Sequence, residues 1–286
     1  MQQNSFGNQT IHTAATYQIE NTMGPVPRTK GALLLSSKRV AGRSGIDRFR
    51  TSGAMKALFP RAEDLQAILI NTSGGLTGGD QIDIVAQAGA GSSLTLTTQA
   101  AERAYRSQDG RARMHTDLTI DTDAQINWLP QEMILFEGSA LDRRLTVDIA
   151  DNGRFLMVEP IIFGRTAMGE TLTSVSFKDR VRINRQGKPL YWDGLDLDGH
   201  TMRHLAQRAV AQGGRAMVSL VYVAPDAEAH LDALRRYLPA TGGASLLAPD
   251  LLTLRLVAAD SFELRRALIP ILERLTKDQL PTSWRL

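Results

Sequence analysis

The sequence has no cysteine among its 286 residues. This absence excludes disulfides, thiolate nucleophiles, iron–sulfur clusters and cysteine-bound zinc. No apolar run approaches the roughly 20 residues that a membrane-spanning helix requires, and the N-terminus lacks the basic-then-apolar order of a signal peptide. We therefore expect a cytoplasmic protein without membrane contact, in which a metal ion would be bound by histidine, carboxylate, backbone or water.

Aromatic residues are also scarce, at 6%, and they are not interleaved with a basic stretch, so nucleic-acid binding is not expected. The net charge of +3 results from 33 basic and 30 acidic residues. Most of the basic residues are arginines spread along the chain, and arginine pairs well with carboxylates on a protein partner. The hydrophobic fraction of 43% is typical of a globular protein with a core.

Residues 1–27 are polar, and we predict a poorly ordered or extended segment there, followed by one domain over 28–286. In that domain short β-like segments recur about every ten residues, separated by Gly, Asp and Asn, which is typical of an all-β protein. The predicted strands are residues 66–71, 81–85, 92–98, 118–121, 125–129, 133–136, 145–149, 155–162, 171–177, 180–183 and 189–192.

The C-terminal third has a different pattern. Residues 216–223 and 251–258 are predicted strands, whereas 226–237 and 261–276 are predicted amphipathic helices. Asp260 and Glu263 stand three apart at the start of the second helix, as in an Asp variant of the capping box. A further short helix is predicted over 100–107. The expected fold class is mainly β, with a helical accessory layer.

The most unusual segment is NTSGGLTGGD, residues 71–80, which follows a predicted strand. Four of the six residues 74–79 in it are glycines. Glycine permits positive φ and close backbone approach. A phosphate loop would need Lys and Ser or Thr after its last glycine, but Asp80 and Gln81 follow here. The dinucleotide fingerprint fails as well, because a strand rather than a helix is expected next. A tight turn that carries one functional carboxylate is the better interpretation.

Two other groups contain chemistry-bearing side chains. Glu132 lies in an apolar segment, and Arg165 and Glu170 flank a Gly-bracketed loop, where they are expected either to pair or to act on a ligand. The other group consists of Asp196, Asp198, His200 and His204. It could bind a metal, because His200 and His204 are spaced to share one helix face. A metalloprotease, however, would need Glu at position 201, which is Thr.

Four segments with unusual combinations of glycine, polar and charged residues follow one another along the chain. They are NTSGGLTGGD (71–80), TTQAAERAYRS (97–107), WLPQEMILFEGS (128–139) and FGRTAMGE (163–170). Together they resemble the UreD family of urease accessory proteins, called UreH in some bacteria. Their order and spacing match over residues 31–199, and the C-terminal part has the length typical of the family.

The resemblance implies a maturation factor rather than an enzyme, with a flattened multi-stranded β body, β-helix-like or of layered sheets, and a few α-helices. It implies a cytoplasmic role with UreF and the GTPase UreG on the urease apoprotein (UreC and its associated subunits). The nickel ion would be transient cargo in an internal tunnel, and no cofactor would be tightly bound. Weak, spaced oxygen sites suit such transit, because tight ligation would trap the ion.

Carboxylates in the family-like segments are the expected nickel-transit residues. The first-rank candidates are Asp80, Glu132 and Glu170, with Gln99, Gln131 and Glu102 as second-rank neighbours. Two alternatives remain open. One is an adaptor that bridges proteins without touching metal. The other is a metal-dependent hydrolase built on the His and Asp residues near position 200.

Overall fold

A computed structural model describes residues 27–165 and 168–285. The segment predicted to be poorly ordered, 1–27, lies outside the described residues except for Pro27. The strands are β1 (Lys30–Val40), β2 (Arg43–Gly53), β3 (Met55–Leu58), β4 (Leu65–Asn71), β5 (Gln81–Ala88), β6 (Ser93–Thr98), β7 (Glu102–Ala104), β8 (Ala112–Ile120), β9 (Gln125–Leu129), β10 (Met133–Leu135), β11 (Ala140–Ile149), β12 (Arg154–Phe163), β13 (Val175–Arg185), β14 (Lys188–Gly199), β15 (Ala216–Val223), β16 (Gly242–Ala248) and β17 (Leu251–Ala258). The helices are α1 (Thr201–Leu205), α2 (Ala227–Tyr237) and α3 (Ser261–Leu275), with a 3₁₀ turn at Thr282–Trp284.

Two layered sheets form the body. Sheet A has the strand order β14-β13-β11-β8-β5-β1-β2, and sheet B has the order β16-β17-β15-β12-β9-β6-β4-β3. The central strands β5, β8, β11 and β13 of sheet A are parallel, as are β4, β6, β9 and β12 of sheet B. From β4 to β13 the chain passes repeatedly from one sheet to the other, so it coils in the manner of a β-solenoid.

The main core lies between the sheets. Ile84 of β5 and Leu96 of β6 are almost fully buried in one cluster that draws on both sheets. In sheet A, residues that point to the core alternate with residues that point to solvent, as in β11, where Leu141 and Val147 are buried and Arg144 is exposed. Since parallel sheets normally have both faces covered, the polar outer face of sheet A is an exception.

A second core lies on the C-terminal strands. Helices α2 and α3 pack against strands β15 to β17, and their apolar residues form a separate buried cluster. Trp284 closes this cluster with no exposed surface, and its indole N–H donates to the Leu129 carbonyl at 3.0 Å. The 3₁₀ turn is therefore anchored on the chain's own body. No described helix is both long and apolar enough to cross a membrane.

The mainly β fold and its two long C-terminal helices are confirmed. Strands 125–129, 216–223 and 251–258 have the predicted bounds. Asp260 is the N-cap of α3 and accepts the Glu263 N–H at 2.9 Å. Two predicted segments, 171–177 and 180–183, are wrong in their bounds, because one continuous strand, β13, runs from Val175 to Arg185.

The helix predicted over 100–107 is wrong. Its centre is the short strand β7, which pairs in parallel with β10. The Glu102 N–H donates to the Glu132 carbonyl at 2.8 Å, and the Leu76 N–H donates to the Arg103 carbonyl at 2.7 Å. These tertiary partners satisfy the backbone groups that a helix would have paired locally, and they override the helix propensity of the sequence.

Candidate functional site

The four family-like segments lie at the same edge of the body. Residues 71–80 begin at the end of β4, and residues 97–107, 128–139 and 163–170 begin at the ends of β6, β9 and β12. The carboxyl ends of neighbouring parallel strands meet at one edge of a sheet, so four segments that are far apart in sequence become neighbours. We call this set of residues the loop edge, described except for 166 and 167.

Backbone hydrogen bonds join the segments of the loop edge to one another. β7 pairs with β10, and β10 pairs with the end of β12. The glycine segment joins the row through a parallel bridge between Leu76 and Ala104, and the Gly164 N–H donates to the Leu135 carbonyl at 2.9 Å. The row is therefore a short third face of the solenoid rather than a set of independent loops.

Close approach explains two of the four glycines. A Cβ at Gly75, where φ is +150°, would lie 2.3 Å from Cε2 of Tyr105. A Cβ at Gly78 would lie 1.9 Å from Oγ of Ser107. The segment is a tight turn pressed against its neighbour.

Asp80 holds this turn in place. It is only 3% exposed, and its carboxylate accepts the Thr29 N–H at 2.7 Å and the Thr77 N–H at 2.8 Å. A carboxylate offers about four lone-pair sites, so roughly two remain.

Glu132 lies in a buried network with a helix residue. Nη1 of Arg265 on α3 donates to Oε1 of Glu132 and to Oε1 of Gln131, both at 2.8 Å. The same guanidinium donates to the Trp284 carbonyl at 2.9 Å and lies 5.0 Å from the centre of that indole ring. The α3 helix therefore reaches the loop edge through Arg265, and one Glu132 oxygen has no hydrogen bond among the described residues.

Glu102 borders a cavity of about 100 Å³ between the sheets, which Asn71 and Gln99 also line. Its carboxylate accepts N–H groups from the Asn71 side chain at 3.1 Å and from the Arg103 backbone at 3.0 Å. Burial raises the pKa of Glu102 and outweighs these two hydrogen bonds, which lower it. Among the residues that line this cavity, Glu102 is the acidic one.

Arg165 and Glu170 were expected either to pair or to act on a ligand, and they form an ion pair. Both of its oxygens are occupied, since Arg165 donates three N–H groups at 2.9–3.2 Å and Glu137 donates its backbone N–H at 3.2 Å. Burial opposes the ionised form, but these hydrogen bonds hold the pKa of Glu170 below its usual value. A cation would have to displace Arg165 to bind there.

The candidates do not share one site. No group of three or more His, Asp or Glu side chains within the described ranges is close enough to hold a metal ion. In the set near position 200, Asp196 pairs with Arg180 at 3.2 Å, Asp198 accepts the Ser176 hydroxyl at 2.7 Å, and Nδ1 of His200 accepts a backbone N–H as the cap of α1. Each of these side chains therefore has a separate structural partner.

Sequence reasoning missed a buried ionic cluster between the two sheets. Arg143 of β11 donates to both oxygens of Asp179 of β13, at 2.9 and 2.6 Å, and pairs with Glu159 of β12. Glu159 also accepts the indole N–H of Trp128 at 2.6 Å. A small cavity of about 30 Å³ adjoins the cluster and is lined by Glu159, Asp179 and Asp193.

A signal for this cluster was present in the strand alternation. Arg143 and Asp179 occupy core-facing positions of the period-two pattern, where their neighbours two residues away are buried and apolar. Glu159 interrupts the otherwise apolar run FLMVEPIIF. Charges at core-facing positions are rare unless they are paired, so these three positions could have been identified without the structure.

Comparison with known proteins identifies close relatives over almost the whole chain. The model of the family described as UreD urease accessory protein matches residues 29–285. The chain is 53% identical over 262 residues to the urease accessory protein UreD of Roseobacter denitrificans, covering 91% of this chain and 96% of that protein. It is 48% identical over 253 residues to the protein of the same name from Ruegeria pomeroyi, covering 87% and 98% respectively.

Proposed function

This chain belongs to the UreD family of urease accessory proteins, and from that membership we propose that it acts in the maturation of urease rather than as an enzyme. The observation that carries the proposal is the high identity to relatives named for this role, sustained over nearly the full length of both chains. The four segments that resemble the family occupy one continuous edge of the molecule, so their likeness concerns one surface rather than scattered positions.

In this role the chain works in the cytoplasm with UreF and the GTPase UreG on the urease apoprotein. Nickel is the cargo of the assembly and not a resident cofactor of this chain. The assignment of GTP hydrolysis to UreG agrees with the glycine segment 71–80, which lacks the Lys and Ser or Thr of a phosphate loop.

We further propose that nickel passes between the two sheets and past the loop edge. Two partly open cavities between the sheets support this path, one of about 100 Å³ beside Glu102 and one of about 30 Å³ beside Glu159. The described acidic and histidine side chains form no group of three that could hold a metal ion tightly, which suits an ion that must leave each site again. Nickel binds oxygen and nitrogen donors, and a set of single carboxylates would hold it weakly.

The hydrogen bonds rank the three first-rank candidates. Among the described residues, one oxygen of Glu132 pairs with Arg265 and the other accepts no hydrogen bond. Each oxygen of Asp80 accepts one N–H, whereas Glu170 accepts four N–H groups and has no lone-pair position left. Glu132 is therefore the best placed of the three to bind nickel directly. Glu102 joins it as the acidic residue that lines the larger of the two cavities.

The test is urease maturation in cells that express the urease operon under limiting nickel. Without this chain, urease activity and nickel per active site should both be lost. Glu132→Gln and Glu102→Gln should each lower nickel loading while the chain still co-purifies with UreF and urease, because Gln keeps the shape and removes the charge. Glu228→Gln, the same change at an exposed site on α2, should leave loading unchanged.

Two results would contradict the proposals separately. Full activity and full nickel without the chain would refute a role in maturation. Normal loading by both Gln variants would refute the metal path and leave the adaptor function, in which the loop edge only binds other proteins. The geometry gives the hydrolase alternative little to stand on, since Asp196, Asp198 and His200 each bond to a different group and no described group of three ligating residues includes them or His204.

A further inference from the structure

The outer face of sheet A carries a row of exposed basic side chains. Lys178, Arg180 and Arg182 alternate with buried residues along β13, and Arg144 of β11 lies beside them. We call these four residues the basic ladder. They line an open groove of about 500 Å³ on the surface.

Nearby acids neutralise the basic ladder only in part. Arg144 binds Asp142 with two hydrogen bonds of 3.1 and 3.0 Å, and Arg180 pairs with Asp196 at 3.2 Å. Among the described residues, Lys178 and Arg182 have no ion pair. By register Lys178 also lies opposite Asp142 and Asp196, so four basic residues share these two acids, and the residues that line the groove keep an excess of positive charge.

The register of the strands brings two positive charges together at one point of the basic ladder. Arg144 lies directly opposite Arg180 on the neighbouring strand, and like charges in that relation destabilise a sheet. His115 lies on the other side of Arg144. Its pKa is lowered, mainly by burial and then by the charges of Arg113 and Arg144. An anionic partner would relieve this repulsion.

One margin of the groove is suited to protein contact. Trp192 of β14 is 63% exposed, and the guanidinium of Arg182 lies 5.0 Å from the centre of its ring. Tryptophan and arginine are the residue types enriched at binding hot spots. Opposite Arg180 stands Gly194, where a Cβ would lie only 3.2 Å from Cδ of Arg180. The glycine leaves room for the arginine side chain to lie across β14.

We propose that the basic ladder with Trp192 is a docking surface for an extended acidic segment of a partner protein. The basic ladder and such a segment would be complementary in charge and in spacing. Alternate residues of a strand lie about 6.6–6.8 Å apart on one face, so positions 178, 180 and 182 match a partner that carries a carboxylate at every second residue. That the partner belongs to the urease maturation assembly rests on the proposed function, whereas the surface itself does not.

The test uses the full chain and a fluorescein-labelled peptide of six Glu-Thr repeats, with binding followed by fluorescence anisotropy at low salt. The Arg180→Glu/Arg182→Glu variant should bind about tenfold more weakly or worse, since reversed charges repel the peptide. The matched control is Arg236→Glu/Arg266→Glu on α2 and α3. It makes the same change in net charge on exposed side chains that lie on other elements and should bind like the wild type.

Two further probes decide between spacing, general charge and nucleic acid. A peptide of the same composition with its glutamates in one block should bind at least threefold more weakly than the alternating peptide. Equal binding of the two peptides, or equal loss in both double variants, would overturn the proposal. The proposal would also be overturned, in favour of nucleic acid, if a single-stranded RNA 12-mer bound more tightly than the alternating peptide and this binding were lost in the Arg180→Glu/Arg182→Glu variant. These outcomes are independent of whether deleting the chain affects urease.

Discussion

The buried Arg143 cluster provides a sharp test of how the two sheets are held together. Arg143 and Arg144 are adjacent on β11 and point to opposite faces, with side chains 9% and 57% exposed. Each forms carboxylate contacts, Arg143 with Glu159 and Asp179 and Arg144 with Asp142. The same substitution, Arg→Met, can therefore be made at both positions, so that they differ mainly in burial.

Removing Arg143 leaves two carboxylates buried without their cation. Breaking a buried pair in this way costs about 3–5 kcal/mol, whereas an exposed pair contributes about 0–1 kcal/mol. For a chain of this size each kcal/mol corresponds to about 2 °C in melting temperature. Arg143→Met should therefore lower the melting temperature by about 6–10 °C, and Arg144→Met by less than about 2 °C.

Thermal unfolding followed by circular dichroism measures both shifts, and urea unfolding provides an independent value of the free energy. A third protein, in which Arg143, Glu159 and Asp179 are replaced together by Met, Leu and Leu, should be more stable than Arg143→Met, because no uncompensated charge remains. Equal small losses for Arg143→Met and Arg144→Met would refute the reasoning. So would a triple variant that is less stable than Arg143→Met.

Two further predictions follow from single groups. Burial raises the pKa of Glu102 in the folded chain above its ordinary value of 4.5. The stabilising contribution of Glu102 is therefore present below pH 4.5 and is lost as the pH rises through the raised pKa. In urea titrations the stability of Glu102→Gln relative to the wild type should increase from about pH 4.5 to 7.5, and a constant difference would contradict this. Asp260→Ala removes the side-chain cap of α3 and should cost about 1 kcal/mol, whereas Asp232→Ala, at an exposed position of α2, should change the unfolding free energy by less than about 0.5 kcal/mol.

The period of the hydrophobic pattern determined the type of most elements. Strands with clean alternation or dense apolar runs, such as β9, β15 and β17, were predicted to the residue. By contrast, β2 is an edge strand with mostly exposed residues, and it was missed because it has no buried face to impose an alternating pattern. The segment at 100–107 was assigned to a helix because the hydrogen-bond partners of β7 lie on segments distant in sequence.

For the candidate site, the family, the glycine turn and the identity of its carboxylates can be read from residue types at fixed spacing along the chain. The partners of each carboxylate are visible only once the chain is folded. Glu132 meets Arg265 across 133 positions, and Arg143 meets Asp179 across 36. Such pairs depend on the register of parallel strands and on the docking of α3, which no local pattern specifies. The same register gathers the four separate segments into one edge and places the basic ladder on one face.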